Sequence, residues 1–200
     1  MPTVVDSYKI RDASDVERTV TDVDGYLYQR NTKVTATGAE LNILSGVTAT
    51  ATEINRACDV STRVVNATAS TLAITEAAHD GKVVTLNRAA GIAVTLPAAT
   101  GSGAKFTFIV GTTFTSPATI KVTGNDVMTG NAIICNDSDA TVSGFETGAD
   151  SDTITFDGST TGGLKGDKVE LIDIATDLYY VNIIGSATGS EATPFSATVT

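Results

Sequence analysis

From residue 70 to 186 apolar side chains recur at every second position in short runs, the period of a strand with one buried face. Phe106, Phe108 and Val110 form the strongest such set. Leu72 and Ile74 open the series; Val84 and Leu86, then Ile92, Val94 and Leu96, repeat the pattern. Ile120 and Val122, Ile154 and Phe156, Val169 and Leu171, and finally Tyr179, Val181 and Ile183 continue it. Turn-forming residues separate the runs: Asp80-Gly81, Gly101-Ser102-Gly103, Gly124-Asn125, Asp157-Gly158 and Gly162-Gly163. Pro97 and Pro117 fall at run ends, where a missing amide is tolerated. Many short strands with one apolar face each predict a mainly β domain: an antiparallel β-sandwich, or a jelly-roll-like or barrel arrangement. With no long helical stretch between the runs, a parallel sheet built on helical crossovers is not expected. The tail, residues 187–200, is small and polar, suited to a loose end or an added edge strand.

The pattern changes upstream. In residues 34–69, Val34-Thr35-Ala36-Thr37-Gly38-Ala39-Glu40-Leu41-Asn42 returns as Val47-Thr48-Ala49-Thr50-Ala51-Thr52-Glu53-Ile54-Asn55, and a degraded third copy starts at Val60-Ser61-Thr62. Thr37 and Glu40, like Thr50 and Glu53, have the spacing of a capping box: the threonine hydroxyl accepts from one orphan amide while the glutamate reaches back to another. Each copy therefore predicts a short helix, with Leu41 and Leu44, or Ile54 and Ala57, on its apolar face, and Gly46 suits the left-handed end of the first. Helices this short need a surface to pack on. Residues 1–33 have weak periodicity and read as an N-terminal arm or a small strand pair. Its aromatics Tyr8, Tyr26 and Tyr28, with Arg30, are candidates for contact with a partner surface or, equally, for packing within the arm.

Charge narrows the partners. Against 13 basic residues stand 23 acidic ones, a net charge of −10, and the basic residues do not cluster. Such a surface repels phosphate backbones, so no nucleic-acid partner is expected. No apolar run approaches membrane-spanning length and the N-terminus has no signal-peptide character, so the expectation is a protein made in a cytoplasm, without a membrane partner.

The sequence offers little reactive chemistry. The lone histidine, His79, precedes a hairpin-type Asp-Gly turn and reads as an exposed turn residue rather than a catalyst. Cys58 and Cys135 read as small buried hydrophobes, without metal-ligand spacing. Asp22-Val23-Asp24-Gly25 and Asp137-Ser138-Asp139 look like fragments of calcium loops without the glutamate that completes one, and Asp150-Ser151-Asp152 reads as a solvated turn. No metal, cofactor or catalytic residue is therefore expected. Sugar cleavage by paired carboxylates is disfavoured, because sugar sites rely on aromatic platforms and the chain has no Trp and only 6% aromatics. Gly101-Ser102-Gly103-Ala104-Lys105 has a faint phosphate-loop look, but it lacks the spacing and precedes a strand.

Two stretches carry a family resemblance. The units Val34–Asn42 and Val47–Asn55 resemble the repeats "VTAT-x-x-ELN-x-L-x-GV" of tailed-phage virion proteins; the second copy departs from them, with Ile54 for Leu and Arg56-Ala57-Cys58-Asp59 at its end. Gly81–Asn87, Thr95–Gly103, Phe106–Gly111 and Gly166–Leu171 are similar to the β-domain of phage head-decoration proteins. The resemblance spans residues 34–186 and implies a non-enzymatic capsid decoration, or cement, protein. Such a protein sits on the outer surface of the virion, bound to the major capsid protein and to copies of itself, often as a homotrimer. Because the repeat also occurs in tail-fibre proteins, a fibre or receptor-binding component is the alternative, with a polysaccharide depolymerase behind it.

Overall fold

The computed structural model describes residues 63–197 without a break, residues 45–58, and the shorter pieces 7–11, 17–22, 28–29, 32–33, 35–36 and 39–40. The chain divides into two units, Met1–Ile54 and Asn55–Thr200.

The arm contains two antiparallel ribbons. Strand β1 (Ser7–Arg11) pairs with β2 (Glu17–Asp22), with a register shift between Tyr8 and Lys9, and β3 (Tyr28–Gln29) pairs with β4 (Thr32–Lys33). In the second repeat the capping box forms as its spacing requires. Glu53 N–H donates to Thr50 Oγ1 at 3.3 Å, and Thr50 N–H donates to Glu53 Oε2 at 2.7 Å, opening helix α1 (Ala51–Cys58). In the first copy Ala39 and Glu40 are helical and Gly46 is left-handed, with φ of 86°; Thr37 lies outside the described residues. Thr50→Ala should cost α1 about 1 kcal/mol, read as faster hydrogen exchange in α1 with the main unfolding transition unmoved.

The third copy is not helical. Arg63 stands where the capping Thr would be and Asn66 where the Glu would be, and Val64–Ala67 is a strand, β5. The sheet region therefore begins ahead of residue 70, and it also takes in part of the tail, because β16 (Phe195–Ser196) pairs with β13 (Thr153–Phe156).

The remaining elements are β6 (Thr71–Ala73), α2 (Glu76–His79), β7 (Val83–Leu86), β8 (Ala93–Thr95), β9 (Lys105–Val110), β10 (Ala118–Lys121), β11 (Val127–Asn136), β12 (Val142–Glu146), β14 (Lys168–Ala175) and β15 (Leu178–Ala187). They form a seven-stranded sheet, in order β12-β11-β15-β14-β9-β7-β5, and a five-stranded sheet, in order β16-β13-β10-β8-β6. The unit is mainly β and sandwich-like, with a single core drawn from the inward residues of both sheets. Val84, Leu86, Phe106, Phe108 and Val169, Leu171, Tyr179, Val181, Ile183 from one sheet meet Val94, Ile120, Ile154 and Phe156 from the other, all at most 1% exposed. These are the residues that the period-two pattern marks.

Strand direction departs from the antiparallel expectation: both sheets are mixed. β5/β7, β7/β9, β6/β8, β8/β10 and β11/β15 run parallel. A parallel neighbour needs a crossover, usually a helix. Here the crossover is a strand of the other sheet: from β5 to β10 the chain alternates between the two sheets, one strand in each, and stacks each turn beside the last. One close approach fixes β11 in place. Gly130, with φ of 150°, sits opposite Val181 of β15, where a Cβ would lie 1.8 Å from the Val181 carbonyl oxygen.

Candidate functional site

Among the described residues a dense polar arrangement is built on Asp173. Continuing the inward positions Val169 and Leu171 of β14, it has no exposed surface. Gly101 N–H donates to its Oδ1 at 2.7 Å, and Thr100 and Ser102 N–H donate to Oδ2 at 3.0 and 3.1 Å. The hydroxyls of Ser102 and Thr100 reach Oδ2 at 2.9 and 3.2 Å. The preceding amide, Ala99 N–H, donates to Asp126 Oδ2 at 2.8 Å. Four consecutive amides between β8 and β9 thus point at two buried acids. Thr100, Gly101 and Ser102 surround the chain's own carboxylate, while the Gly103 N–H donates to the Asp173 main-chain oxygen at 2.9 Å.

Burial pushes the Asp173 carboxyl up, yet the amides of Thr100, Gly101 and Ser102 outweigh it and hold its pKa below the usual range. Asp126 goes the other way: burial raises it, the Ala99 amide pulls back, and the charges of Asp177 and Asp173 add to the rise. Tyr179, buried beside them, donates its hydroxyl to the Pro97 carbonyl at 3.0 Å, and burial together with the charges of Asp173, Asp126 and Glu76 raises its pKa.

Two further acids serve the same purpose. Asp167 accepts from Gly163, Leu164 and Ser186 amides at 2.7, 3.0 and 2.9 Å, and burial leaves its pKa raised despite them. Asp157 accepts from Ser159 and Thr161 amides at 2.8 and 3.0 Å and from the Thr160 hydroxyl at 2.7 Å, which together overcome burial and hold it far below the usual range. These carboxylates fasten loops to strands.

Several expectations need correction. His79 is buried, 8% exposed: Thr75 caps α2, and its amide donates to His79 Nδ1 at 3.1 Å, folding the imidazole back over the turn. Asp80-Gly81 joins α2 to β7 rather than making a hairpin; Asp80 Oδ1 accepts from Lys105 N–H at 2.9 Å, anchoring the start of β9. Cys135 is exposed, because the inward phase of β11 falls on Ala132 and Ile134; nothing is described for the Cys58 side chain. Ser151 and Asp152 are buried, 5% and 3% exposed, because they enter β13 at the sheet rather than turning in solvent. Asp139 closes its own turn by accepting from Thr141 N–H at 2.8 Å, and the Thr141 hydroxyl and amide lower its pKa. Asp22 ends β2, and Val23, Asp24 and Gly25 lie outside the described residues. Among the described residues no group of three or more His, Cys, Asp or Glu could hold a metal, and no helix is long and apolar enough to cross a membrane.

Of the candidate contact residues in the arm, Tyr8 lies on β1 and Tyr28 on β3, with backbone pairing alone described, while Tyr26 and Arg30 lie outside the described residues. The structure also exposes an apolar sheet face that the alternating pattern alone does not flag. On the outer face of the seven-stranded sheet, Ile133, Val142, Ile174, Tyr180 and Ile184 are 36–56% exposed. The signal for it is in the doublets Ile133-Ile134, Tyr179-Tyr180 and Ile183-Ile184, since two apolar neighbours in a strand must point to opposite faces. No family model matches the chain, and no curated protein or solved structure does.

Proposed function

We propose that this chain is a non-enzymatic structural component of a tailed-phage particle: a decoration protein that binds across neighbouring subunits of the major capsid protein on the outer surface of the head, together with copies of itself. The observation that carries the reading is the repeat at Val34–Asn42 and Val47–Asn55, which resembles virion repeats and whose second copy forms the capped helix its spacing requires. Two features of the β-unit are consistent with it. Asp126, Asp157, Asp167 and Asp173 hold the chain's own loops, and one sheet face carries exposed apolar side chains. A ligand that binds the assembled lattice and not its free subunits stabilises the lattice by mass action, and many copies add avidity.

Quantitative mass spectrometry of purified particles tests the reading. A copy number within a few-fold of the major capsid protein is the expected result, and absence from particles refutes it. The second reading, a tail-fibre or receptor-binding component, is favoured by the stacked turns from β5 to β10, an arrangement that can lengthen by repetition. A handful of copies per particle would select it.

A further inference from the structure

We propose that the whole outer face of the seven-stranded sheet, with its exposed apolar side chains concentrated on β12, β11, β15 and β14, is the surface through which this chain binds a second copy of itself. Ile133 of β11 stands directly beside Ile184 of β15, and Cys135 directly beside Val142 of β12, so the apolar side chains are contiguous. Val142, Ile184 and Ile133 are 56%, 51% and 44% exposed. Single exposed aliphatics are ordinary on a protein surface; a contiguous set on one sheet face has the character of a contact core.

Charge selects the occupant. The chain carries −10 overall, so most of its surface repels its own copies. The outward positions of all seven strands hold only Lys105, Lys168, Glu170 and Glu146, two of each sign. Glu170 pairs with Lys105 and lies 3.6 Å from Lys168, which closes those charges on the face itself. A basic partner would be drawn to the acidic remainder of the surface, not to this neutral sheet. A copy of the same chain, repelled elsewhere, meets no excess of like charge here.

Size agrees. Seven strands at ~4.8 Å spacing extend about 34 Å across, and strands of roughly six residues run about 20 Å. The footprint is on the order of 700 Å², close to the ~800 Å² per partner of a standard stable interface. The inference stands whether or not the chain belongs to a virion.

Light scattering and sedimentation of the full chain at tens of micromolar test it, with Ile133→Glu/Ile184→Glu as the disrupting variant and Val47→Glu as a control in the other unit. The wild type and the control should sediment at a multiple of 20.5 kDa, and the double variant at the single-chain mass. The double variant should keep its cooperative thermal transition, which separates lost assembly from lost folding. A monomeric wild type, or a double variant that still assembles, overturns the proposal. So does a monomeric wild type that binds purified capsids and loses that binding in the double variant, because the face then belongs to the shell.

Discussion

Asp173→Ala should lower the stability of the β-unit by about 3–5 kcal/mol, because it leaves the amides of Thr100, Gly101 and Ser102 buried without their acceptor. Urea denaturation at neutral pH measures it, and a loss under about 1 kcal/mol would show that the loop refolds around water. Asp173→Asn should fall between the two proteins, since one of its atoms becomes a donor facing donors. The pH dependence supplies a second readout. The folded pKa of Asp173 lies below its unfolded value, so in the interval between them the unfolded chain binds more protons and stability rises with pH. That contribution is complete above the unfolded value near 3.8 and is lost as pH falls through the folded one. Asp126 and Asp167, with raised values, act oppositely: their contribution is greatest below 3.8 and declines as pH rises through their folded pKa. Removing Asp173 should therefore flatten the acid limb below pH 3.8 and leave the region above it to Asp126 and Asp167.

Gly130→Ala should be at least as damaging, at about 3 kcal/mol or more, and is expected to drive the protein into inclusion bodies. The added methyl would stand 1.8 Å from the Val181 carbonyl oxygen and 2.8 Å from its carbon, both backbone atoms of a paired strand, in a conformation L-residues rarely adopt. The collision can be relieved only by parting β11 from β15 at the centre of their shared ladder, which runs from Val127↔Leu178 to Asn136↔Ala187. Gly144→Ala is the matched control. It lies on the neighbouring β12 with nothing within 4 Å of its Cβ position, so it should be neutral or slightly stabilising, as relief of glycine's backbone entropy predicts. Soluble yield and thermal midpoint of the two variants, compared side by side, check the pair.

Which side chains are buried is legible in the sequence; which strands are neighbours is not. The alternation Phe106-Thr107-Phe108 obliges one face inward whatever lies beside it, and period two is the same in parallel and antiparallel sheets. Pairing depends on where the chain returns, and the strand-for-helix substitution in the crossovers leaves no local mark. The capping box at Thr50 and Glu53 is legible because both partners lie within one turn of helix. The Asp173 cradle is only half legible: an acid in phase with Val169 and Leu171 announces a buried charge, but its donors are some seventy residues away. His79 is misread because a four-residue helix has too few positions to show a period. The exposed apolar sheet face is readable from Ile133-Ile134 and Ile183-Ile184, once such doublets are taken as evidence of two apolar faces rather than one.

The back-and-forth path from β5 to β10 also dictates an order of events during synthesis. Each strand there finds its partner in a segment that has already left the ribosome: Val83 beside Val64, then Thr107 beside Val83. That portion can zip together as it emerges. β11 cannot, because its parallel partner β15 is made later, and β9 likewise waits for β14 to cover its other side. For that interval the nascent chain exposes two unclosed ladder edges flanked by Phe106, Phe108, Ile133 and Ile134. The last third of translation is therefore when the polypeptide is most exposed to pairing with a neighbour on the same messenger RNA.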